Sequence, residues 1–510
     1  MRSFPNNQEL TKDYTIQSEI FGHRFKPNQT VDEYLLEFLQ VLIAEKEINT
    51  KENITSDYFP DIDEEKLEKI IIHPKAKVAL KRFVFYMKSK DEARSEIDSN
   101  AYKYMVDFLK ERINVDYEDK QEEIVQYIEK LLYGFSGVIK NRAWFAQSFL
   151  PVCKSMVLPE TMIGKAKRKK LDKDFKFKNE IDKRYGKVDS EIDANQYDFM
   201  QKGGEIYYLH VLRGLIKNPE KKEKLVELFE KQLNEYSQIE NLCNKIQDIW
   251  EEEIKKMYPD SSFKKDINKT LGTIPVEFGD RENYTISELI NFLSSNMHPF
   301  EKIELLSQGI VFQLINLMHS EARYRSGKNT RPVWVVDMTY SLSKDDEVKK
   351  LATKSYDQIE EDMIIAISRG IEESNLKKVV NDKDKAFKNA IEDSYKLCRK
   401  LGKDIGILVP IKGNGMRITL QENIIKFLVV SIVEPGKKLT LTTFIEKLYE
   451  HFGIVIGRNE YKREMIKENV EKISDFSFLD KNEKALSEML KKCSFLRDLS
   501  DATAIVENPY

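Results

Sequence analysis

Apolar residues recur every three or four positions through most of this chain, and that period favours long amphipathic helices over any other element. The stretch "TVDEYLLEFLQVLIAEKE" at 30–47 sets Tyr34, Leu35, Phe38, Leu39 and Leu42 on one face, with Thr30 placed to cap the helix. "SNAYKYMVDFLKERI", "KQEEIVQYIEKLLYGFSGVI", "PEKKEKLVELFEKQLNEYSQIENLCNKIQDIWEEEIKKMY" and "TISELINFLSSNMHPFEKIELLSQGIVFQLINLMHS" repeat the pattern without a fixed repeat length. The 510 residues, 41% of them apolar, supply material for about three or four domains. With 20 Gly and 14 Pro, long disordered stretches are not expected.

Three stretches break the helical period. One is the basic segment "GKAKRKKLDKDFKFKNEIDKRYGK" at 164–187, and another is "RPVWVVDMTYSLS" at 331–343, the best strand. The third begins at 405, where "IGILVPI" and "MRITL" flank Lys412, Gly413, Asn414 and Gly415 as a hairpin with a type I′ Asn-Gly signal. "QENIIKFLVVSIV" then reads as a buried helix, "EPGKKLTL" as a turn and short strand, and "TTFIEKLYEHFG" as a helix with a Thr cap and a Gly stop. "RNEYKREMIKENVEKI" reads as a third helix and "ATAIVENPY" as a last strand. The fold is thus read as mainly α and multi-domain, with a small strand-containing insert. Its expected divisions are a helical N-terminal domain (1–160), a basic connecting segment (161–200), a helical middle domain (201–330), a strand plus long helices (331–404) and a winged-helix-like C-terminal region (405–510).

The formal net charge is −3, so attraction to a polyanion has to come from a local patch. Residues 164–187 hold eleven Lys or Arg against four Asp or Glu, a local charge of 11 − 4 = +7, with Phe175, Phe177 and Tyr185 interleaved. Basic side chains displace counterions from phosphates and aromatic rings stack on unpaired bases. Lys165, Lys167, Arg168, Lys169, Lys170, Lys173, Lys176 and Lys178 are therefore the candidate nucleic-acid contacts, joined by Lys412 and Arg417 of the hairpin. A solvated loop, or a basic helix docked on an acidic neighbour, has the same composition. A second basic stretch, "HSEARYRSGKNTRP", with Arg323, Arg325, Lys328 and Arg331, reads as a polar linker.

Little in the chain looks catalytic. Asp337, Thr339 and Ser341 follow D-x-T-x-S spacing, close to the D-x-S-x-S Mg²⁺ site of von Willebrand A domains. That fold needs several parallel strands, and only one is convincing here, so Asp337 is expected to cap the following helix. A P-loop needs its lysine after the glycines, and Lys412 precedes them. The chain contains neither G-x-G-x-x-G before a helix nor G-x-S-x-G nor HExxH, and the six histidines are isolated in sequence. The four cysteines lie at least 90 residues apart, which excludes a Cys-rich zinc module and suits a reducing cytoplasm. No cofactor is implied. With no signal-peptide core at the N-terminus and no run of 18 apolar residues, the expectation is a cytoplasmic protein without membrane contact. Gly203 and Gly204 in "QKGGEIYYLHVLRGL" allow a tight turn before a helix near Glu205, whose first N–H groups face any anion nearby. A plain helix start explains that motif equally well.

Two blocks carry a resemblance. "GGEIYYLHVLRGL" and the C-terminal "CSFLRDLSDATAIVENPY", which comes after "HFGIVIG", resemble large helical accessory proteins of bacterial phage-defence operons, the nearest being the DptG-type subunit of phosphorothioation-dependent DNA restriction. The blocks are a small part of the chain and contain no catalytic motif, so no active-site residue carries over. The resemblance implies an antiviral defence context and a DNA-associated complex with a separately encoded ATPase or nuclease. The expected function is a non-catalytic subunit of such a restriction-type complex. The alternatives are a structural helical scaffold without nucleic-acid binding and an enzyme with a cryptic Mg²⁺-dependent site near Asp337.

Overall fold

The computed structural model of the chain describes residues 15–22, 25, 29–48, 54–73, 77, 79–89, 96–114, 118–138, 143–160, 203–257, 269–271, 281–341, 343, 346–373, 383–413, 415–467, 475–500 and 503–510. Helix dominates them, as the period predicts. The N-terminal part holds α1 (Ile16–Phe21), α2 (Val31–Ile43), α3 (Leu80–Phe85), α4 (Glu96–Arg112), α5 (Glu118–Tyr133) and α6 (Lys154–Val157). Between α2 and α3 lie β1 (Glu45–Ile48), β2 (Ile54–Thr55) and β3 (Ile70–His73), and β4 (Ser136–Val138) pairs with β5 (Ser148–Phe149) after α5. With β6 (Lys269–Thr270), the first three strands make a four-stranded antiparallel sheet in the order β2–β1–β3–β6.

Thr30 caps α2 as expected, in a capping box with Glu33 whose Oε2 accepts the Thr30 N–H at 2.6 Å. The helix stops at Ile43, short of the expected 47, because Glu45–Ile48 turns into β1. Lys46 fixes that turn. Its buried ammonium donates to the carbonyls of Leu42 (2.9 Å), Ala44 (2.8 Å) and Asp57 (3.0 Å). Burial pushes this amine down to about 7, against the pull of the Asp57 carboxylate.

The middle of the chain holds α7 (Gly203–Lys217), α8 (Lys222–Asn234), α9 (Ser237–Met257), α10 (Arg281–Ser294) and α11 (Pro299–Arg325). Helix α11 is buried along most of its 27 residues, polar side chains such as Gln313, Asn316, His319 and Glu321 included. It packs on α1, α2 and α7, and from the C-terminal side on α12 (Glu347–Glu373), α14 (Tyr395–Asp404) and α15 (Glu422–Ile432). Gly309 makes the last contact possible, because a Cβ there would stand 2.1 Å from the Phe427 ring. Helix α13 (Lys383–Glu392) lies between α12 and α14.

The strand read at 331–343 is β7 (Trp334–Val335), and its partners come from far along the chain. It pairs in parallel with β11 (Ile454–Val455), while the Asp337 N–H donates to Ile418 O at 3.0 Å in the hairpin of β8 (Leu408–Val409) and β9 (Arg417–Ile418). Asn482, fully buried, clamps this junction. Its Oδ1 accepts the Met338 N–H at 2.7 Å, and its Nδ2 donates to Val336 O (2.8 Å) and Ile456 O (3.1 Å). Asn482→Ala leaves three buried backbone groups unpaired. It is expected to cost about 2–3 kcal/mol in urea unfolding.

Asn482 sits on α18 (Phe478–Lys492), a helix the sequence reading did not anticipate. The helix expected at 459–473 is described over Arg458–Lys467 as α17, residues 468–474 lie outside the described residues, and α18 comes after them. Helix α16 (Leu441–Phe452) matches expectation, with Thr440 accepting the Thr443 N–H at 3.1 Å and Gly453 closing it at φ 70°. Strands β10 (Lys438–Thr440), β12 (Leu496–Ser500) and β13 (Thr503–Glu507) form an antiparallel sheet in the order β10–β13–β12.

One continuous apolar core runs from Ile16 to Val506 and draws on four of the five stretches expected as domains. The fifth, 161–200, lies outside the described residues. A smaller cluster of Val335, Val348, Tyr449, Val455, Tyr461 and Leu479 fastens β7 and β11 to the C-terminal helices. Among the described residues, no helix is long and apolar enough to cross a membrane.

Candidate functional site

Eight of the ten candidate contacts, Lys165, Lys167, Arg168, Lys169, Lys170, Lys173, Lys176 and Lys178, lie outside the described residues. The residues flanking them are well anchored. On one side, the buried Glu160 carboxylate accepts the backbone N–H groups of Lys81 and Arg82 at the start of α3. Burial raises its pKa against the pull of Arg82. On the other side, α7 begins at Gly203 and its Gly204 N–H donates to Glu37 Oε2 at 2.9 Å. The acceptor at this helix start is thus a side chain of α2. Both glycines are needed for that approach, since a Cβ at Gly203 would meet the Tyr34 ring at 2.3 Å and one at Gly204 the Phe38 N at 2.4 Å.

Lys412 and Arg417 prove to be in different environments. Lys412 is exposed in the loop between β8 and β9. That loop is not the two-residue turn the Asn-Gly signal suggests. Val409 pairs with Arg417, leaving residues 410–416 between them, with Gly413 at φ 106° and Gly415 at φ 73°. Pro410 ends β8 because it has no N–H to donate. Arg417 faces inward. Its side chain is 11% exposed, and its Nε donates to Asp337 Oδ2 at 2.6 Å. It is placed as the internal partner of Asp337, not as a surface contact.

Asp337 is fully buried and does not cap a helix, since α12 starts ten residues later at Glu347. Its Oδ1 accepts the Thr339 N–H (2.9 Å) and Oγ1–H (2.6 Å), an Asx turn. Thr339 Oγ1 in turn accepts the Ser341 N–H at 3.2 Å. The D-x-T-x-S residues do converge, and Tyr340 between them is held at φ 51° with its hydroxyl on Leu420 O at 3.0 Å. The cation against the carboxylate is the Arg417 guanidinium. Among the described residues, no group of three or more His, Cys, Asp or Glu could hold a metal ion.

Among the described histidines, His319, His210 and His451 meet partners distant in sequence. His319 Nε2 meets Asp362 Oδ2 at 3.2 Å, while Trp334 Nε1–H donates to its Nδ1 at 2.9 Å. The proton therefore sits on Nε2. Burial lowers the pKa of this ring, although the Asp362 carboxylate opposes that. Asp362 also accepts from Lys328 (2.6 Å), Arg323 (3.3 Å) and Ser326 (3.4 Å). Burial would raise its carboxyl, and His319 and Lys328 outweigh that and hold it at about 2. Both nitrogens of His319 are occupied by protein groups, so the pair has no position from which to move a substrate's proton. The basic stretch read as a linker is likewise turned inward. Arg325 Nε lies 2.6 Å from Glu321, and Arg331 donates to Glu450 O at 2.8 Å while lying over Tyr449.

A second buried network joins α7, α10, α11 and α16. Arg281 Nη1 donates to Glu288 Oε1 (2.8 Å) and His451 O (3.1 Å), and its Nη2 to Gln313 (2.9 Å). His451 Nδ1 lies 2.7 Å from Glu288 Oε1, and its ring stacks on Tyr284. His210 meets Thr285 at 2.7 Å. Burial pushes Glu288 up, but the Arg281 guanidinium overcomes it and holds the carboxyl at about 2. Such a network fixes helix packing rather than presenting a reactive atom. The surface group the sequence reading missed is aromatic. Phe135, Tyr236, His298 and Phe300 assemble at one place from three parts of the chain. No local signal marks them, because no two of them except His298 and Phe300 are near in sequence.

Comparison with protein-family models, with curated proteins and with solved structures finds no match to this chain.

Proposed function

We propose that this protein is a non-catalytic, DNA-associated subunit of a multi-protein antiviral complex of the restriction type, working beside a separate ATPase or nuclease. The observation that carries the reading is the +7 charge of residues 164–187 within a chain of net charge −3, flanked by two anchored ends at Glu160 and Gly203. A polyanion is the partner such a segment selects. The inward-turned state of the other chemistry-like groups supports the non-catalytic part: Arg417 occupies Asp337, and Trp334 with Asp362 occupies His319.

The C-terminal region supports a docking role. We read its chain order, α15–β10–α16–β11–α17–α18–β12–β13 with the sheet order β10–β13–β12, as a winged-helix-like module. In such a module the helix before the hairpin is the one presented to a partner, which here is α18 rather than α17. Its lysines are partly paired, Lys491 with Asp498 (2.6 Å) and Lys492 with Glu422 (3.3 Å), which favours a protein partner over a major groove.

The test is the salt dependence of DNA binding. Changing Lys167, Arg168, Lys169 and Lys170 together to Ala is expected to flatten the slope of log K against log [salt] by about 3–4. An unchanged slope removes the basic segment from the interface. Failure of the wild type to bind duplex or single-stranded DNA leaves the scaffold reading in its place.

A further inference from the structure

We propose that Phe135, Tyr236, His298 and Phe300 form a surface stacking platform for an unpaired nucleobase of single-stranded nucleic acid, with the adjoining phosphate drawn to Lys231 and Lys302. This site rests on the DNA-associated reading and gives it a second, sequence-distant contact.

Phe300 is the centre of the cluster. It stacks on Tyr236 (centroids 5.7 Å apart, planes at 17°), lies 6.0 Å from Phe135 and 5.3 Å from His298, and is 38% exposed. Phe135 meets Tyr236 edge-on at 6.2 Å, which holds the Tyr236–Phe300 stack from the side. The rings come from the turn after α5, the junction of α8 and α9, and the first turn of α11, so the platform is set by helix packing. His298 is itself fixed as the cap of α11, its Nδ1 accepting the Phe300 N–H at 3.3 Å.

Charge selects the occupant. Lys302 donates to Leu293 O at 3.1 Å, and its ammonium is destabilised by burial and then by the like charge of Lys231, with Glu235 opposing. Lys231, Lys302 and Glu235 sum to +1, the neighbouring Glu301 being paired with Lys426 at 3.9 Å, so a phosphate beside the two lysines offsets the excess. Rings alone fit an apolar peptide as well, and the pair of lysines favours a nucleotide. A duplex has its bases already stacked, so the ring faces select a single strand.

The test uses the full-length protein with fluorescently labelled oligothymidine, an abasic oligomer of equal length and a duplex. Phe300→Ala is expected to weaken oligothymidine binding about ten-fold or more, Phe300→Trp to retain it, and neither to change affinity for the abasic strand. Tyr236→Ser serves as the second variant if Phe300→Ala fails to fold by its melting curve, and the same loss is expected. Equal affinity of the wild type for abasic and base-containing strands overturns the platform, as does displacement of the oligomer by a proline-rich peptide. A flattened salt slope in the Lys167/Arg168/Lys169/Lys170 variant alongside an unchanged Phe300→Ala leaves the DNA reading standing and this inference overturned. The reverse pattern supports the platform and removes the basic segment.

Discussion

Arg417→Met is expected to destabilise the protein by about 3–5 kcal/mol, because it leaves a fully buried carboxylate without its cation. The Asp337 Oδ2 atom has no other partner among the described contacts, and Thr339 already holds Oδ1. Asp337→Asn is expected to cost less, since the Arg417 side chain keeps some solvent and an Asn oxygen still accepts from Thr339. Combining the two changes is expected to recover part of the loss, since no lone charge then remains buried. Urea unfolding of the three variants measures this. The same protein settles the role of Arg417 in binding: the salt slope on DNA stays that of the wild type in Arg417→Met, while Lys412→Ala is the variant able to alter it. A reduced slope with intact stability would place the guanidinium at the surface. Millimolar Mg²⁺ is expected to leave the wild-type melting temperature unchanged, and a rise that Asp337→Ala abolishes would favour the metal-centre reading.

What the sequence made legible was local. The helical period of α2, the Thr30 capping box and the Thr440-to-Gly453 bounds of α16 all depend on residues within a turn or two of one another. What it hid was non-local. Asp337 and Arg417 lie 80 residues apart, and His319 and Asp362 lie 43 apart. A charge pattern reports how many cations a stretch carries, not whether a carboxylate from another element stands opposite. That is why Arg417 reads as a surface contact and 319–331 as a linker. Strand β7 looked solitary for the same reason, since its parallel partner comes 120 residues later in the chain. Helix α18 was missed although its apolar positions Leu479, Leu486 and Leu490 do fit a helical face. The hairpin was right in its strand pairing and wrong in its loop length, because Pro410 ends the ladder before Asn414 is reached.

Raising the pH from about 5 to about 7 is expected to destabilise the wild type by about 2 kcal/mol, with Glu37 the cause. Its carboxyl is buried between α2 and α7, and burial raises its pKa from 4.5 to about 8 against the hydrogen bonds from Gly204 and Gln29. The charges facing it are acids: Glu205 from α7 and Glu33 from its own helix both push the value further up. A folded-state pKa above the unfolded one means that the native state holds a proton the unfolded chain releases. The stabilisation is therefore complete below pH 4.5 and is lost as pH rises toward 8, with a ceiling of order 5 kcal/mol for a shift of this size. Acids such as Glu288 and Asp362, held at about 2, act in the opposite direction and only below the ordinary carboxylate range. Between about pH 5 and 7 the change is left to Glu37, and above pH 7 the buried Lys46 amine, lowered to about 7, acts against it, because the unfolded chain then holds a proton that the native state releases. Glu37→Gln mimics the protonated acid, keeps an acceptor for the Gly204 N–H, and is expected to flatten unfolding free energy across that interval once Gln29 turns its amide. Equal pH dependence in wild type and Glu37→Gln would show that the carboxyl ionises normally and that α7 tolerates a charge at its start. Because Gly203 and Gly204 are the first described residues after the basic segment, wild-type DNA affinity is expected to fall through the same pH interval and that of Glu37→Gln to stay level.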